Sequence, residues 1–343
     1  MRKHGNTLYV LAQGAYLAKE GETVQVRIEG EIKLRVPIHQ LGGIVCFGQV
    51  SVSPFVMGFC AERGVGISFL TEHGRFLARV QGPVSGNVLL RREQYRRADD
   101  EQATLFLART TVMAKIANGR TFLRRAVRDR NGDPGVDGIQ EAAGHLSALL
   151  NQIAQVGTTD SVRGMEGVAA RTYFSVLDRL IVQQKDAFFF HERSRRPPLD
   201  NMNALLSFTY TLVLHDIEAA LETVGLDGQV GFLHRDRPGR PGLALDMLEE
   251  FRVPLADRLA LSLVNLRQIS GEGFRKAETG GVLMDEETRK TVLVAYQKRK
   301  QEEIEHPFLH ERTTIGLLPF LQALLLGRFL RGELDAYPPM IWK

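Results

Sequence analysis

The sequence is poor in cysteine and tryptophan, with two cysteines and one tryptophan in 343 residues. Cys46 and Cys60 both lie in apolar runs, and no CxxC pair occurs. The sequence therefore predicts neither a disulfide framework nor a thiolate zinc site, and it favours a reducing, cytoplasmic location. HExxH, P-loop and serine or cysteine nucleophile motifs are also absent, which argues against zinc proteases, nucleoside triphosphatases and common hydrolases.

Long hydrophobic runs are lacking as well. The most apolar stretch, residues 315–326, contains Pro319 and Gln322 and is shorter than the ~20 residues that a membrane span requires. Residues 1–10 lack the apolar segment of a signal peptide, so we expect no membrane association. The net charge of +4 and the isoelectric point near 9.1 favour an acidic partner.

The first 80 residues have the alternation and turn pattern of short β-strands. These strands are predicted at 7–13, 16–19, 23–28, 31–37, 42–47, 66–70 and 76–80, and one helix is predicted at about 53–63. No catalytic group of residues stands out here. We therefore predict that residues 1–80 form a small β-sandwich that serves as a dimerisation or docking domain.

Residues 81–100 change in texture, from glycine and proline to arginine, and are predicted to be a linker. From 101 to 343 nearly every segment has the helical period, with helices expected at 257–266, 290–300 and 314–331 and a loop or short hairpin at 274–284. The predicted fold class is α+β: a small N-terminal β-sandwich followed by a larger, all-α domain.

Arginines cluster in the helical part and in one loop. Their unbalanced charge predicts contact with a polyanion such as DNA, and a solvated surface is the alternative. The predicted DNA-binding residues are Arg91, Arg92, Arg96, Arg97, Arg120, Arg124, Arg125, Arg128, Arg193, Arg195 and Arg196.

The stretch 231–252, GFLHRDRPGRPGLALDMLEEFR, joins a histidine-containing loop to an acidic helix. At about 100° per residue the apolar side chains share one arc of the helix, while Asp246, Glu249 and Glu250 share the opposite side. His234 delivered onto that side would suit a site for a hard metal ion. A core-packed helix with a solvated acidic face is the alternative.

Glu166 is the fourth candidate. It lies in a predicted helix beside small residues that let another helix approach, and its alternative role is a contact with the helix dipole. Two or three oxygen ligands and one imidazole suit Mn²⁺ or Mg²⁺. Together with a basic surface, this indicates a metal-dependent nuclease or strand transferase. A non-catalytic DNA-binding scaffold and a metal-dependent hydrolase of small phosphoesters remain as alternatives.

Four long runs carry a family resemblance: GMEGVAARTYF (164–174), RPPLDNMNALLSFTYTLV (196–213), GFLHRDRPGRPGLALDMLEEFRVPLAD (231–257) and FLRGELDAYPPMIWK (329–343). In order and along nearly the whole chain, they resemble the CRISPR-associated adaptation endonuclease, the integrase subunit that inserts new spacers. The first ten residues and the C-terminal tail look most like the form that accompanies type I-C systems.

This resemblance implies a phosphodiester hydrolase and strand transferase. In strand transfer, a 3′-hydroxyl of the incoming DNA fragment would attack a phosphodiester at the repeat boundary. It also implies double-stranded DNA as substrate and a homodimer formed through the β domains. Two such dimers would be bridged by a small ferredoxin-like subunit into a heterohexamer.

The resemblance also implies roles for individual residues. Glu166, His234 and Glu249 match the family's metal ligands, and some members have Asp where this chain has Glu249. His234 would also be a candidate proton carrier to the leaving 3′-oxygen. Asp246 matches an additional acidic position close to the metal, whereas Glu250 is expected to take no part. Asn203 and Tyr210 would lie near the active site.

Overall fold

The computed structural model describes residues 6–74, 76–80, 82, 88–130, 132, 135–278 and 280–342. The N-terminal part consists mainly of strands, as the alternating sequence predicts. Its elements are β1 (Asn6–Val10), β2 (Tyr16–Glu20), β3 (Thr23–Ile28), β4 (Glu31–Pro37), β5 (Leu41–Phe47), β6 (Ser51–Val52), α1 (Pro54–Glu62), β7 (Gly66–Leu70) and β8 (Phe76–Val80).

These strands form two four-stranded sheets, ordered β1-β5-β7-β8 and β4-β3-β2-β6. In the first sheet β1, β5 and β7 are parallel, and in the second β2, β3 and β4 form an antiparallel meander. Leu17 of one sheet and Ile44 of the other belong to one buried apolar cluster, which also takes in Val56 and Cys60 of α1. The opposite side chains of the first sheet, Phe47 among them, pack into the core of the helical region.

The rest of the chain is helical, with two short hairpins. Its elements are α2 (Val88–Asp99), α3 (Glu101–Asp129), α4 (Val136–Ile153), α5 (Thr159–Phe174), α6 (Leu177–Leu180), α7 (Asn201–Val224), α8 (Gly242–Phe251), α9 (Arg258–Asn265), β9 (Phe274–Lys276), β10 (Val282–Met284), α10 (Glu286–Gln301), β11 (Glu303–Glu305), β12 (Arg312–Thr314) and α11 (Leu318–Leu330).

The hairpins correct the all-α description of this region. β9 pairs with β10 and β11 with β12, each in antiparallel register. Three-residue strands are too short to show an alternating period. For this reason only the first hairpin was predicted, as one of two options for residues 274–284.

Within the predicted linker, 81–100, residues 88–99 form the helix α2. Leu90 and Gln94 are both buried. The Gln94 side chain donates to Asp227 O and Val230 O and accepts from Asp227 N, at 2.8–2.9 Å. The arginines dominate the composition of α2, but these buried contacts tie it to the segment that precedes His234.

α7 runs through the middle of the helical core. By length and composition it could cross a membrane, yet 56% of its apolar window is buried against the protein's own helices. Its contacts with α8, α9 and α11 explain its apolar sequence as that of a core helix.

Candidate active site

Lys115 on α3 joins the two glutamates that the sequence singled out on different helices. Its Nζ lies 2.9 Å from Glu249 Oε2 on α8 and also contacts Glu166 Oε1 on α5. The Glu249 side chain is 3% exposed and that of Glu166 is 28% exposed. The fold therefore brings the two carboxylates close enough to share one cation, with Glu166 on the solvent side.

Glu249 stays ionised in spite of its burial. Burial raises the pKa of this carboxyl, but Arg252, Lys115 and His234 outweigh that effect and hold the pKa at about 2. Arg252 Nη2 lies 3.1 Å from Glu249 Oε1, one turn further along the chain. Arg252 begins a π-helical turn, 252–257, that contains Pro254, whose missing N–H removes one α-helical hydrogen bond.

Asp246 fixes the histidine loop onto α8. Its Oδ2 accepts the backbone N–H groups of Phe232 (2.6 Å) and Leu233 (2.9 Å), and its Oδ1 accepts that of His234 (3.0 Å). His234 Nδ1 lies 2.6 Å from the same Oδ1. Because a carboxylate at this distance accepts a hydrogen bond, Nδ1 carries a proton, and Nε2 is the ring nitrogen left to bind an ion.

A second anchor ties the same loop to α5. Arg163 Nε donates to Leu233 O at 2.6 Å, one turn before Glu166. Asp160 accepts from both Arg163 (2.5 Å) and Arg235 (2.6 Å). The loop that carries His234 is therefore held by α8 on one side and by the helix of Glu166 on the other.

Tyr210 and Asn203 lie behind the site rather than in it. The Tyr210 ring is stacked between the guanidinium groups of Arg252 (5.0 Å) and Arg193 (5.2 Å), and its hydroxyl donates to Asp257 at 2.6 Å. Asn203 is fully buried and accepts hydrogen bonds from Arg193 and from Ser194 N. Tyr210 therefore supports Arg252, the partner of Glu249, and Asn203 supports the loop at 192–194.

Glu250 is buried against the C-terminal tail, residues 331–342. It accepts from Tyr337 OH (2.7 Å), Met340 N (2.7 Å) and Gln322 Nε2 (3.0 Å). Asn118, one turn after Lys115, donates to Glu250 O (2.8 Å) and Met340 O (2.9 Å) and accepts from Trp342 N (2.9 Å). The Glu250 carboxylate belongs to this buried hydrogen-bond network. The tail clamps α3 to α8 from the other side.

The acidic side of α8 is thus not solvated. Asp246, Glu249 and Glu250 are 3%, 2% and 1% exposed, which removes the alternative of a solvated acidic face. All three are buried with specific partners, as buried carboxylates must be.

The donor atoms suit a hard divalent ion, although they are not arranged around one here. In the part of the chain that the structure describes, no three histidine, cysteine, aspartate or glutamate side chains converge as a ready-made metal site. Lys115 accounts for this, since its ammonium group takes the position between Glu166 and Glu249. Two carboxylates that already share a cation, beside an imidazole with a free Nε2, fit Mn²⁺ or Mg²⁺ in charge and donor type.

The predicted DNA-binding arginines fall into different environments. Arg92, Arg96, Arg124, Arg125, Arg128, Arg195 and Arg196 are exposed, whereas Arg91, Arg97, Arg120 and Arg193 are partly buried. Arg91 donates to Gly225 O, and Arg97 pairs with Glu93 and stacks on Phe329. Arg193 donates to Asn203 and Ser207, so its guanidinium is committed to the protein.

Sequence reasoning missed Lys115, Arg163 and Arg252. Arg252 could have been found, because the i, i+3 spacing places it beside Glu249 on a helix. A lysine in the otherwise apolar segment 112–117 is a weaker signal, and only folding brings it between α5 and α8.

Comparisons with known proteins agree with this fold. A family model described as CRISPR associated protein Cas1 matches residues 8–298, which include all four candidate acids and ligands. The chain is 54% identical over 343 residues to CRISPR-associated endonuclease Cas1 1 of Chlorobaculum tepidum and 49% identical over 347 residues to Cas1 2 of Rhodospirillum rubrum. Each alignment covers 100% of both chains.

Solved structures share the fold at low identity. A CAS1 protein from Thermotoga maritima has a TM-score of 0.83 at 22% identity, covering 97% of this chain and 99% of that one. A chain of a Cas6-RT-Cas1–Cas2 complex has a TM-score of 0.82 at 22% identity, covering 99% of this chain and 36% of that one. A casposase bound to integration product has a TM-score of 0.80 at 21% identity, covering 96% of this chain and 91% of that one. With the full-length identity to named relatives, these findings show that the chain belongs to the Cas1 family of CRISPR-associated endonucleases.

Proposed function

We propose that this endonuclease of CRISPR adaptation inserts DNA fragments as new spacers by metal-assisted transesterification at the site formed by α3, α5 and α8. One observation carries the proposal: Glu166 and Glu249, from separate helices, share a cation beside an imidazole that Asp246 orients. The proposed ligands are Glu166, His234 and Glu249, and the proposed ion is Mn²⁺ or Mg²⁺. When bound, such an ion would neutralise phosphate charge and activate the attacking 3′-hydroxyl.

The chain's own residues prepare the reaction. Asp246 holds the proton on His234 Nδ1, which leaves Nε2 as the nitrogen that can bind an ion. We therefore assign Asp246 a positioning role rather than that of a ligand. Since Nε2 has one lone pair, it can be a ligand or a proton carrier but not both at once, and we assign it as a ligand. Arg252 and Lys115 keep Glu249 ionised, and Glu166 faces the solvent side from which DNA arrives.

Partners and assembly follow from the family resemblance. We assign this chain double-stranded DNA and a small ferredoxin-like subunit as partners, in a heterohexamer of two dimers of this chain and one partner dimer. A Cas6-RT-Cas1–Cas2 complex and a Cas1–DNA complex are among the structures that share its fold. The two N-terminal sheets, with their common core, are proposed to form a β-sandwich at residues 1–80 that mediates dimerisation. We propose residues 101–343 as the catalytic domain, a type I-C system as the context and the cytoplasm as the location.

A single substitution tests the proposal. Glu166→Gln removes one anionic ligand at the solvent edge of the site while keeping the size of the side chain. We expect this variant to bind duplex DNA like the parent but to lose Mn²⁺-dependent cleavage and strand transfer. Glu141→Gln, at an exposed glutamate of α4, is the matched control and should keep both activities. Retained strand transfer in Glu166→Gln would show that the site is wrong, and lost DNA binding would favour a scaffold whose carboxylates are structural.

A further inference from the structure

A groove of about 850 Å³ between α9 and α10 contains none of the proposed ligands. It is lined by more positive than negative side chains. Four cations face two carboxylates: Arg258, Lys290, Lys298 and Arg299 against Glu287 and Glu302. Arg299 is neutralised by an ion pair with Glu302, so the other three cations determine what the groove attracts.

The three remaining cations, Arg258, Lys290 and Lys298, form no ion pair with a carboxylate of the described residues. Lys290 and Lys298 are exposed, while Arg258 is partly buried. Burial lowers the pKa of Arg258, and the like charges of Arg299 and Arg125 lower it further, against smaller opposing effects of Glu302 and Asp129. A partly buried guanidinium among like charges is stabilised by an external anion.

The groove lies at a definite spacing from the site. α3 and the helical segment 242–257 run side by side in the same direction, because Lys115 contacts Glu249 and Asn118 contacts Glu250 O, and Arg125 of α3 lies within electrostatic range of Arg258, the first residue of α9. Ten residues separate Lys115 from Arg125 along α3, and nine separate Glu249 from Arg258 along the chain. At a rise of 1.5 Å per residue this is about 15 Å. Phosphates follow each other about every 3.4 Å along one strand of duplex DNA, so about 15 Å corresponds to about four to five base pairs.

We propose that the groove between α9 and α10 binds the phosphate backbone of duplex DNA about four to five base pairs from the bond that is cut or joined. The inference rests on the proposed function for the position of the reacting bond. Its contacts are sequence-independent and set the register of the duplex over Glu166 and Glu249. Arg125, near the end of α3, is exposed and lies within electrostatic range of Arg258, although it also pairs with Asp129.

The first measurement is binding of a 20-base-pair DNA duplex as a function of salt. In Lys290→Glu/Lys298→Glu, loss of two phosphate contacts should lower the slope of log K against log salt by about two. The control Lys19→Glu/Lys276→Glu makes the same change of net charge at exposed lysines outside the groove. Glu287→Gln, which removes an exposed carboxylate from the groove, should tighten binding. If the groove variant and the control bind alike, the proposal is overturned, whether or not the chain transfers strands.

The second measurement is strand transfer on duplexes that extend a variable distance from the reacting phosphodiester. On DNA that extends eight base pairs or more, we expect the groove variant to be at least about tenfold slower at limiting DNA, for two lost charge contacts. On DNA that extends only two, it should equal the parent protein, a result that misfolding could not give. An equal loss of rate on both substrates would overturn the groove assignment. A loss of rate confined to substrates with single-stranded extensions would overturn the proposal that the groove binds duplex DNA. If the parent transfers no substrate, the proposed function fails, and the binding measurement still decides the groove.

Discussion

Glu249 and Glu250 are consecutive residues of α8, equally buried, and yet they face opposite kinds of environment. Glu249 faces Lys115 and Arg252 and keeps a pKa of about 2. Burial raises the pKa of Glu250 to about 7, because its partners, Met340 N, Tyr337 OH and Gln322, are neutral donors that only partly oppose the effect. The comparison shows how a helix can present a permanent anion on one side and a structural polar network on the other.

The difference separates chemistry from architecture. On the side of Glu249 every partner is a cation, and one of them, Lys115, also reaches Glu166. On the side of Glu250 the tail, α11 and Asn118 form a closed set of hydrogen bonds. We infer that the first side changes when an ion or DNA binds, and that the second keeps α3 and α8 in register while it does so.

The largest effect should come from breaking the charged side with Glu249→Gln. We expect strand transfer to fall by more than about 100-fold, since even residues that only support a ligand cost about 10–100-fold. The free energy of unfolding should fall by about 3–5 kcal/mol because Lys115 and Arg252 lose their buried partner. Strand-transfer rates with Mn²⁺ and urea unfolding measure the two effects, and near-normal transfer would contradict the assignment of Glu249.

The neutral side can be tested through pH. The folded chain holds a proton on Glu250 more tightly than the unfolded chain, whose glutamate pKa is 4.5. The contribution of Glu250 to the free energy of unfolding is therefore largest below about pH 4.5 and falls by about 3 kcal/mol as the pH rises to about 7. Glu250→Gln removes this dependence. Urea unfolding measures the free energy of unfolding of the parent and of the variant at pH 4.5 and 7.5. The parent-minus-variant difference should be about 3 kcal/mol smaller at pH 7.5. The same difference at both pH values would refute the raised pKa of Glu250.

A smaller effect is expected from Lys115→Met. The ammonium group of Lys115 lies where an ion shared by Glu166 and Glu249 would bind, so the two cations repel each other. We expect Mn²⁺ to bind about tenfold tighter to the variant. Removing one nearby positive charge should change the free energy of ion binding by about the amount that corresponds to one pKa unit. EPR titration of free Mn²⁺ measures this. Lys115→Arg keeps the charge and is the control, and weaker binding to Lys115→Met would contradict the shared position.

The smallest effect should follow Tyr337→Phe, which removes one hydroxyl from the Glu250 network. We expect a loss of about 1 kcal/mol in the free energy of unfolding. The fluorescence of Trp342, the one tryptophan of the chain, should stay unchanged because Met340 N still donates to Glu250 and Trp342 N to Asn118. A red shift would mean that the tyrosine hydroxyl alone holds the tail.

Local patterns predicted the local parts of this structure. The alternation of 23–28 gave β3, and Ser53 with Gly64 bounded α1, since strand period and capping act within a few residues. The start of α2 inside the predicted linker was harder to locate, because arginines dominate its composition and only Leu90 and Gln94 are buried. The hairpins β9–β10 and β11–β12 are too short to show a period.

The site divides in the same way. Asp246 and Glu249 lie on one helix, so their common side followed from the helical period. What each does there depends on contacts more than ten residues away, such as Asp246 with the loop 232–234 and Glu249 with Lys115. For Glu166 and His234 the residue types indicated a metal site, and the family resemblance indicated the set. Neither could reveal that the acidic side of α8 is buried or that the tail holds it.

The most direct measurement is pulsed EPR of the Mn²⁺-loaded protein, which detects nitrogen bound to the ion. If Glu166, His234 and Glu249 bind one ion, the spectrum will show the ¹⁴N coupling of a single imidazole. This coupling will vanish in His234→Gln, and Mn²⁺ affinity will drop in both Glu166→Gln and Glu249→Gln. A spectrum without nitrogen coupling, or one that persists in His234→Gln, would contradict the proposed site.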